Sequence, residues 1–157
     1  MAAPNGRSAT GLVSGRDQPT ADVGSGESGM RRAVARPRRA LLVEDEDMVR
    51  KVIGRMLAAR GFDVQAVASG SEALALLDAP EPLELDLLVT DLMVPDGGGL
   101  SVARSFKARL PQIEVLLVSG YSPTSAEGWG ADRFRFLTKP FGSAELAKVI
   151  DELFASH

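Results

Sequence analysis

From Ala40 onward the apolar residues recur in two alternating rhythms, one of strands and one of helices. Ala40 to Val43 is a short apolar run ending in charges, as a buried strand ends. Val49, Val52, Ile53, Met56 and Leu57 then recur at helical spacing, and Gly61 stands after Arg60 as a C-terminal stop. Phe62 to Val67 alternates as a second strand. Ser69 with Glu72 makes a capping box that opens a helix running through Leu77. Pro80 to Pro82 reads as a loop, Leu85 to Thr90 as a third strand, and Gly99 to Leu110 as a third helix stopped by Pro111. Ile113 to Val118 is a fourth strand and Phe134 to Leu137 a fifth. A last helix starts near Ser143, in the N-cap position, and places Leu146, Val149, Ile150, Leu153 and Phe154 on one face.

Strands alternating with helices imply right-handed crossovers and a parallel sheet covered on both faces, a doubly wound α/β domain of five strands. Residues 121 to 131 fit this least, because Pro123, Gly128 and Gly130 interrupt any helical pattern. A fourth helix there is expected to be short or degenerate.

In an open parallel sheet, ligands sit beyond the carboxyl ends of the strands. Those ends carry Glu44 and Asp45, then Asp91, Ser119 and Lys139. Three carboxylates brought together raise one another's pKa values unless a cation joins them. Oxygen donors without His or Cys select a hard ion such as Mg²⁺. Asp91 then has the makings of a carboxylate nucleophile able to form an aspartyl phosphate, with Lys139 neutralising the transferred group and the Ser119 hydroxyl donating to one of its oxygens. Each residue alone has a plainer reading. An Asp after a strand is often a turn residue, Ser119 and Gly120 make an ordinary turn, Lys139 alone is a surface lysine, and Glu46 and Asp47 charge a helix start. The four sets at successive strand ends argue for function.

Composition changes the picture in two places. The chain has no cysteine, which excludes disulfides, thiolate metal sites and a Cys nucleophile, and its single His157 is terminal. No apolar run approaches the roughly 18 residues of a membrane span, and no signal-type segment opens the chain, so a soluble, cytoplasmic protein is expected. Charge divides the chain in two. Residues 1–39 carry seven Arg against Asp17, Asp22 and Glu27, a net of +4, and the remainder carries eleven Lys or Arg against eighteen acids, a net of −7. Six Gly, four Ser, three Pro and no aromatic residue leave the first part unable to bury enough surface to offset ordering. We therefore expect a flexible tail over 1–37 and a folded domain over 38–157. Arg31, Arg32, Arg36, Arg38 and Arg39 could touch nucleic acid or anionic lipid, but without interleaved aromatics a solvated arm is favoured.

Over residues 38 to 156 the sequence resembles the response regulator receiver domain family of two-component signalling. The resemblance is carried by LLVEDED at 41–47, LLVTDLMVP at 87–95, VLLVSGYS at 115–122 and FLTKPF at 136–141. It implies a flavodoxin-like fold with strand order 2-1-3-4-5 and phosphorylation of Asp91. It implies an acidic pair of Glu44 and Asp45, and Mg²⁺ held by Asp45, Asp91 and the Met93 backbone carbonyl, with Glu44 acting through a water. Lys139 would contact the phosphate, with a cis bond before Pro140. Ser119 would be the switch hydroxyl, and Phe136 the aromatic whose rotamer follows it.

Three features depart from the usual pattern. Gly97, Gly98 and Gly99 replace an apolar residue before the family's glycine, which predicts a loosened loop. Phe136 lacks a hydroxyl, leaving a permanently buried core aromatic as the alternative. The stretch from Ser119 to Lys139 is short, which touches the segment that normally helps form the output surface. Met93 and Tyr121 are expected to flank the path of water to the phosphate and slow its hydrolysis.

The resemblance implies a switch, more than a metabolic enzyme, that takes phosphate from a sensor histidine kinase or a histidine phosphotransfer protein. No residue follows His157 to encode a DNA-binding output domain, so output through a protein partner is expected, with a homodimer left open. Met1 and the tail favour a free-standing receiver over one cut from a hybrid kinase. Two rivals remain. A metal-dependent phosphatase with Asp91 as nucleophile would want a second acid at position 93, where Met stands. A pseudo-receiver that binds partners without phosphorylation fits poorly with the complete set of acids, Ser and Lys.

Overall fold

A computed structural model describes residues 36–120 and 134–155. Apart from Arg36 and Pro37, both exposed, the tail expected over 1–37 lies outside the described residues. So do Tyr121, the segment 121–131 expected to hold the degenerate helix, and His157.

The elements follow in the order β1 (Arg39–Val43), α1 (Asp47–Ala59), β2 (Asp63–Val67), α2 (Gly70–Leu77), β3 (Leu87–Asp91), α3 (Gly98–Arg109), β4 (Glu114–Ser119), β5 (Arg135–Thr138) and α4 (Ser143–Ala155). All strand pairs are parallel, and the sheet order is β2-β1-β3-β4-β5. This is the expected doubly wound arrangement.

The period of two in each strand divides the core. Ala40 and Leu42, Leu87 and Val89, and Leu116 and Val118 face α1 and α4, meeting Ile53, Leu57, Leu146, Val149, Ile150 and Leu153. Leu41 and Val43, Leu88, and Val115 and Leu117 face α2 and α3, meeting Ala73, Leu77, Val102, Ala103 and Phe106. The three central strands are thus apolar on both sides, as strands covered on both faces must be. The edge strand β2 has no buried position, only exposed residues with Val64 and Val67 half-buried.

Local details depart from the expected boundaries. β3 starts at Leu87, and just before it the Asp86 carboxylate accepts the Arg39 N–H at 2.7 Å. In α2 the Ser69 hydroxyl accepts the Glu72 N–H at 3.2 Å as expected, but the Glu72 carboxylate reaches past Ser69 to the Ala68 N–H at 3.0 Å. Ser143 is the first residue of α4 rather than its cap, and the Glu145 carboxylate accepts the Gly142 N–H at 2.6 Å in its place. Gly61 closes α1 with φ of 93°, a conformation that favours glycine. Val52, assigned by periodicity to the α1 core face, is 44% exposed and borders a surface groove.

Candidate functional site

The carboxyl ends of β1, β3, β4 and β5 bring together Glu44, Asp45, Asp91, Ser119 and Lys139. Glu44 follows β1 directly and is fully buried, its N–H still in the sheet as a donor to Val67 O at 3.1 Å. Asp91 is the last residue of β3 and is 7% exposed, while Asp45 is exposed at the rim. One carboxylate oxygen from each of Glu44, Asp45 and Asp91 lies within 4.8 Å of the other two. A donor set made only of oxygens over that span fits one hard cation whose shell also includes waters, as the sequence predicted for Mg²⁺.

Lys139 enters this cluster from β5. Its ammonium donates to Glu44 Oε1 at 2.9 Å and to Asp91 Oδ2 at 2.5 Å. Its backbone N–H donates to Ser119 O at 2.7 Å, so β4 and β5 fix the root of the side chain as well as its tip. The peptide bond to Pro140 is cis. Burial works to lower the Lys139 pKa, but the hydrogen bonds and charges of Asp91 and Glu44 outweigh it and hold the ammonium above its ordinary value. Burial pushes the Glu44 carboxyl up; hydrogen bonds from Lys139 and the Glu46 N–H and the Lys139 charge oppose this, and the Asp91 charge adds to it. Both carboxylates are thus spoken for on each oxygen. Glu44 Oε2 accepts the Glu46 N–H at 3.1 Å, and Asp91 Oδ1 accepts the Met93 N–H at 2.8 Å.

Met93 therefore sits beside the Asp91 carboxylate through its backbone, with its side chain 65% exposed. Ser119 is 1% exposed at the end of β4. Its Cα partner on β5 is Thr138, and Phe136 lies two residues earlier, so the pleat puts Ser119 and Phe136 on the same face of the sheet. Phe136 is half-buried and packs against the α2/α3 core. A fully buried aromatic, the alternative raised by its missing hydroxyl, is not what stands there.

The loop after Asp91 is tied down, contrary to the loosening expected from three consecutive glycines. Gly70 N–H donates to Pro95 O at 2.9 Å, Gly99 N–H donates to Leu92 O at 2.9 Å, and the Ser71 hydroxyl donates to the Asp96 carboxylate at 2.9 Å. Two glycines permit this by their lack of a side chain. A Cβ on Gly99 would lie 2.1 Å from Asp91 O, and one on Gly70 would lie 2.4 Å from Asp96 O. Gly97 and Gly98, with φ of 113° and 75°, supply the turn between them. The sequence marked Gly97 to Gly99 but missed that Gly99, and Gly70 on another helix, are contact points for the helix starts. A glycine at the first position of α2, just inside a capping box, was the available signal.

Comparisons with known proteins agree with this geometry. Residues 40–151 match the profile of the response regulator receiver domain. The sensor kinase CckA of Brucella abortus (strain 2308) is 39% identical over 115 residues, covering 72% of this chain but 12% of that protein. The chain therefore spans about an eighth of the length of that relative. The crystal structure of a response regulator receiver protein from Sinorhizobium medicae WSM419 superposes with a TM-score of 0.68 at 28% identity, covering 76% of this chain and 96% of the other. The receiver domain of a sensor histidine kinase from Pseudomonas aeruginosa PAO1, solved with a magnesium ion coordinated in its active-site cleft, shares the fold at a TM-score of 0.64 and 24% identity, covering 76% of this chain and 98% of that one.

Proposed function

The chain belongs to the response regulator receiver domain family, and from that premise we propose that Asp91 accepts a phosphoryl group from a phosphohistidine of a sensor histidine kinase or a histidine phosphotransfer protein. One observation carries this reading. A carboxylate at the carboxyl end of the central strand is gripped on one oxygen by the Met93 N–H and on the other by the Lys139 ammonium, beside two further carboxylates. In the transfer, an oxygen of Asp91 forms a bond to phosphorus as the bond from phosphorus to the donor imidazole nitrogen breaks, and the imidazole leaves with the electron pair. Asp45, Asp91 and the Met93 carbonyl would hold Mg²⁺, with Glu44 contributing through a water, and the cation would supply neutralisation of charge on the transferred oxygens.

Lys139 stays with the transferred group as its counter-charge, and the Ser119 hydroxyl donates to one of its oxygens. The added charge of roughly −1.5 to −2 then biases Ser119 and Phe136 toward a second arrangement, which a downstream protein reads. An apolar groove of about 270 Å³ opens beside Lys139, lined by Met48, Val49, Val52, Met56, Pro140 and Phe141. Such a surface suits a protein donor better than a small phosphate ester. A folded domain over 38–157 with a separate tail, acting as a cytoplasmic switch, completes the reading. No described helix is long and apolar enough to cross a membrane.

The test is mass spectrometry of the protein after incubation with acetyl phosphate and Mg²⁺, and separately with a phosphorylated histidine donor. Wild type gains one phosphate and Asp91→Asn gains none. Label that persists in the Asn variant overturns the assignment of Asp91.

A further inference from the structure

We infer that Arg50 is a positioning residue for the cation site: its guanidinium clamps the turn that carries Glu44 and Asp45 and so aims the Asp45 carboxylate at Asp91. The inference rests on the receiver reading above and adds a residue to it.

Asp45 is the weakly held member of the acidic cluster. Glu44 is buried with both oxygens engaged, and Asp91 is fixed by Met93 and Lys139. The Asp45 side chain is exposed, and among the described residues no donor holds its carboxylate. Its direction therefore depends on the backbone on either side of its Cα. Both neighbouring carbonyls face one guanidinium nitrogen. Arg50 Nη1 lies 2.8 Å from Glu44 O and 3.5 Å from Asp45 O, and Nη2 pairs with the Asp47 carboxylate. Arg50 itself belongs to the first turn of α1, where its N–H donates to Glu46 O at 2.8 Å. The helix start thus grips, through one side chain, the peptide groups that precede and follow Asp45.

The planar fork of arginine is what this needs. It reaches two carbonyls and a carboxylate at fixed angles, and its hydrogen bonds are charge-assisted, whereas a lysine ammonium is a single mobile point charge. The side chain is 21% exposed, low for an arginine at a helix start.

Geometry and charge predict opposite outcomes here. A cation beside an acidic site repels a second cation, so a purely electrostatic role means that removing Arg50 tightens metal binding. A clamp means that removing it loosens binding, and loss of a group that orients a metal ligand typically weakens affinity about 10- to 100-fold.

The experiment compares the full chain as wild type, Arg50→Ala and Arg50→Lys. Mg²⁺ affinity is read by titration calorimetry, and amide hydrogen exchange is read on metal-free protein. The expected result for Arg50→Ala is a dissociation constant about tenfold higher, faster exchange at the Glu46 N–H that now donates to Glu44, and a nearly unchanged melting temperature. Arg50→Lys keeps the charge without the fork and recovers little of the affinity. Unchanged or tighter Mg²⁺ binding in Arg50→Ala overturns the clamp, and full recovery in Arg50→Lys overturns the fork as its cause. A wild-type chain that takes up neither Mg²⁺ nor phosphate overturns the receiver reading itself. Exchange at Glu46 still reads the clamp in that case, and exchange unchanged by Arg50→Ala overturns it.

Discussion

The two ends of the sheet hold similar residue types in opposite circumstances. At the amino ends, Arg39 lies 4.0 Å from Asp63 and 3.7 Å from Glu84, with side chains 46 to 69% exposed. At the carboxyl ends, Lys139 bridges Glu44 and Asp91, whose side chains are 0% and 10% exposed. Water solvates the first group whether or not it pairs, so its pairing contributes little. The second group has lost that water and depends on its partners. The difference shows where the fold depends on pairing: the buried acids at the carboxyl ends rely on one ammonium, whereas the exposed charges at the amino ends rely on water.

The largest effect on stability is therefore expected from Lys139→Met. It leaves Glu44 and Asp91 facing each other without their shared counter-charge, a change that costs about 3 kcal/mol when a buried pair loses one member. Urea unfolding of metal-free protein measures it. The loss should deepen as pH rises. Burial already holds the Glu44 carboxyl above its ordinary value, and without Lys139 it moves further up. Above pH 4.5 the unfolded chain has released a proton that the folded chain still holds, so stability falls with increasing pH until the folded group ionises as well. Saturating Mg²⁺ should restore more stability to this variant than to wild type, because the cation takes over the neutralisation that the ammonium provided. A deficit independent of pH and Mg²⁺ would show that the two acids do not depend on Lys139.

Next comes Gly99→Ala. A methyl group there would lie 2.1 Å from Asp91 O and 2.8 Å from Leu92 Cα, so the start of α3 has to move away from the end of β3. The expected cost is about 2 kcal/mol, together with weaker Mg²⁺ binding, because the displaced backbone carries the Asp91 side chain. Destabilisation without any change in Mg²⁺ affinity would separate the packing of this helix from the site.

The strands and the side chains that cluster at their carboxyl ends were legible in the sequence because their signals are local. Leu87 to Val89 is a continuous apolar run, and Asp91 closes the same strand two residues later. The groups that hold the site are not local, and this is where the reading failed. Gly97 to Gly99 look permissive along the chain, yet Gly70 and Ser71, which come from another helix, hold the loop they belong to. Helical spacing put Val52 with Ile53 and Met56 but could not tell a core side chain from one that lines a groove against Pro140 and Phe141. Glu46 and Asp47 read as charges at a helix start, and the role of that turn becomes visible only once Arg50 is seen folded back over Glu44 and Asp45.

The smallest expected effect completes the contrast between the two ends. Arg39→Met removes the same kind of charge as Lys139→Met but from an ion pair open to water, so its cost should stay under about 1 kcal/mol. The Arg39 backbone N–H still donates to Asp86 Oδ2 at 2.7 Å in the variant, because that bond does not involve the side chain. Mg²⁺ affinity and phosphorylation by acetyl phosphate should match wild type, since the substitution lies at the opposite ends of the strands from Asp91. Urea unfolding in low and high salt gives the sharper reading. The small loss at Arg39 should vanish as salt screens exposed charges, whereas the larger loss at Lys139 should largely survive, because the pair it breaks is shielded from the solvent ions.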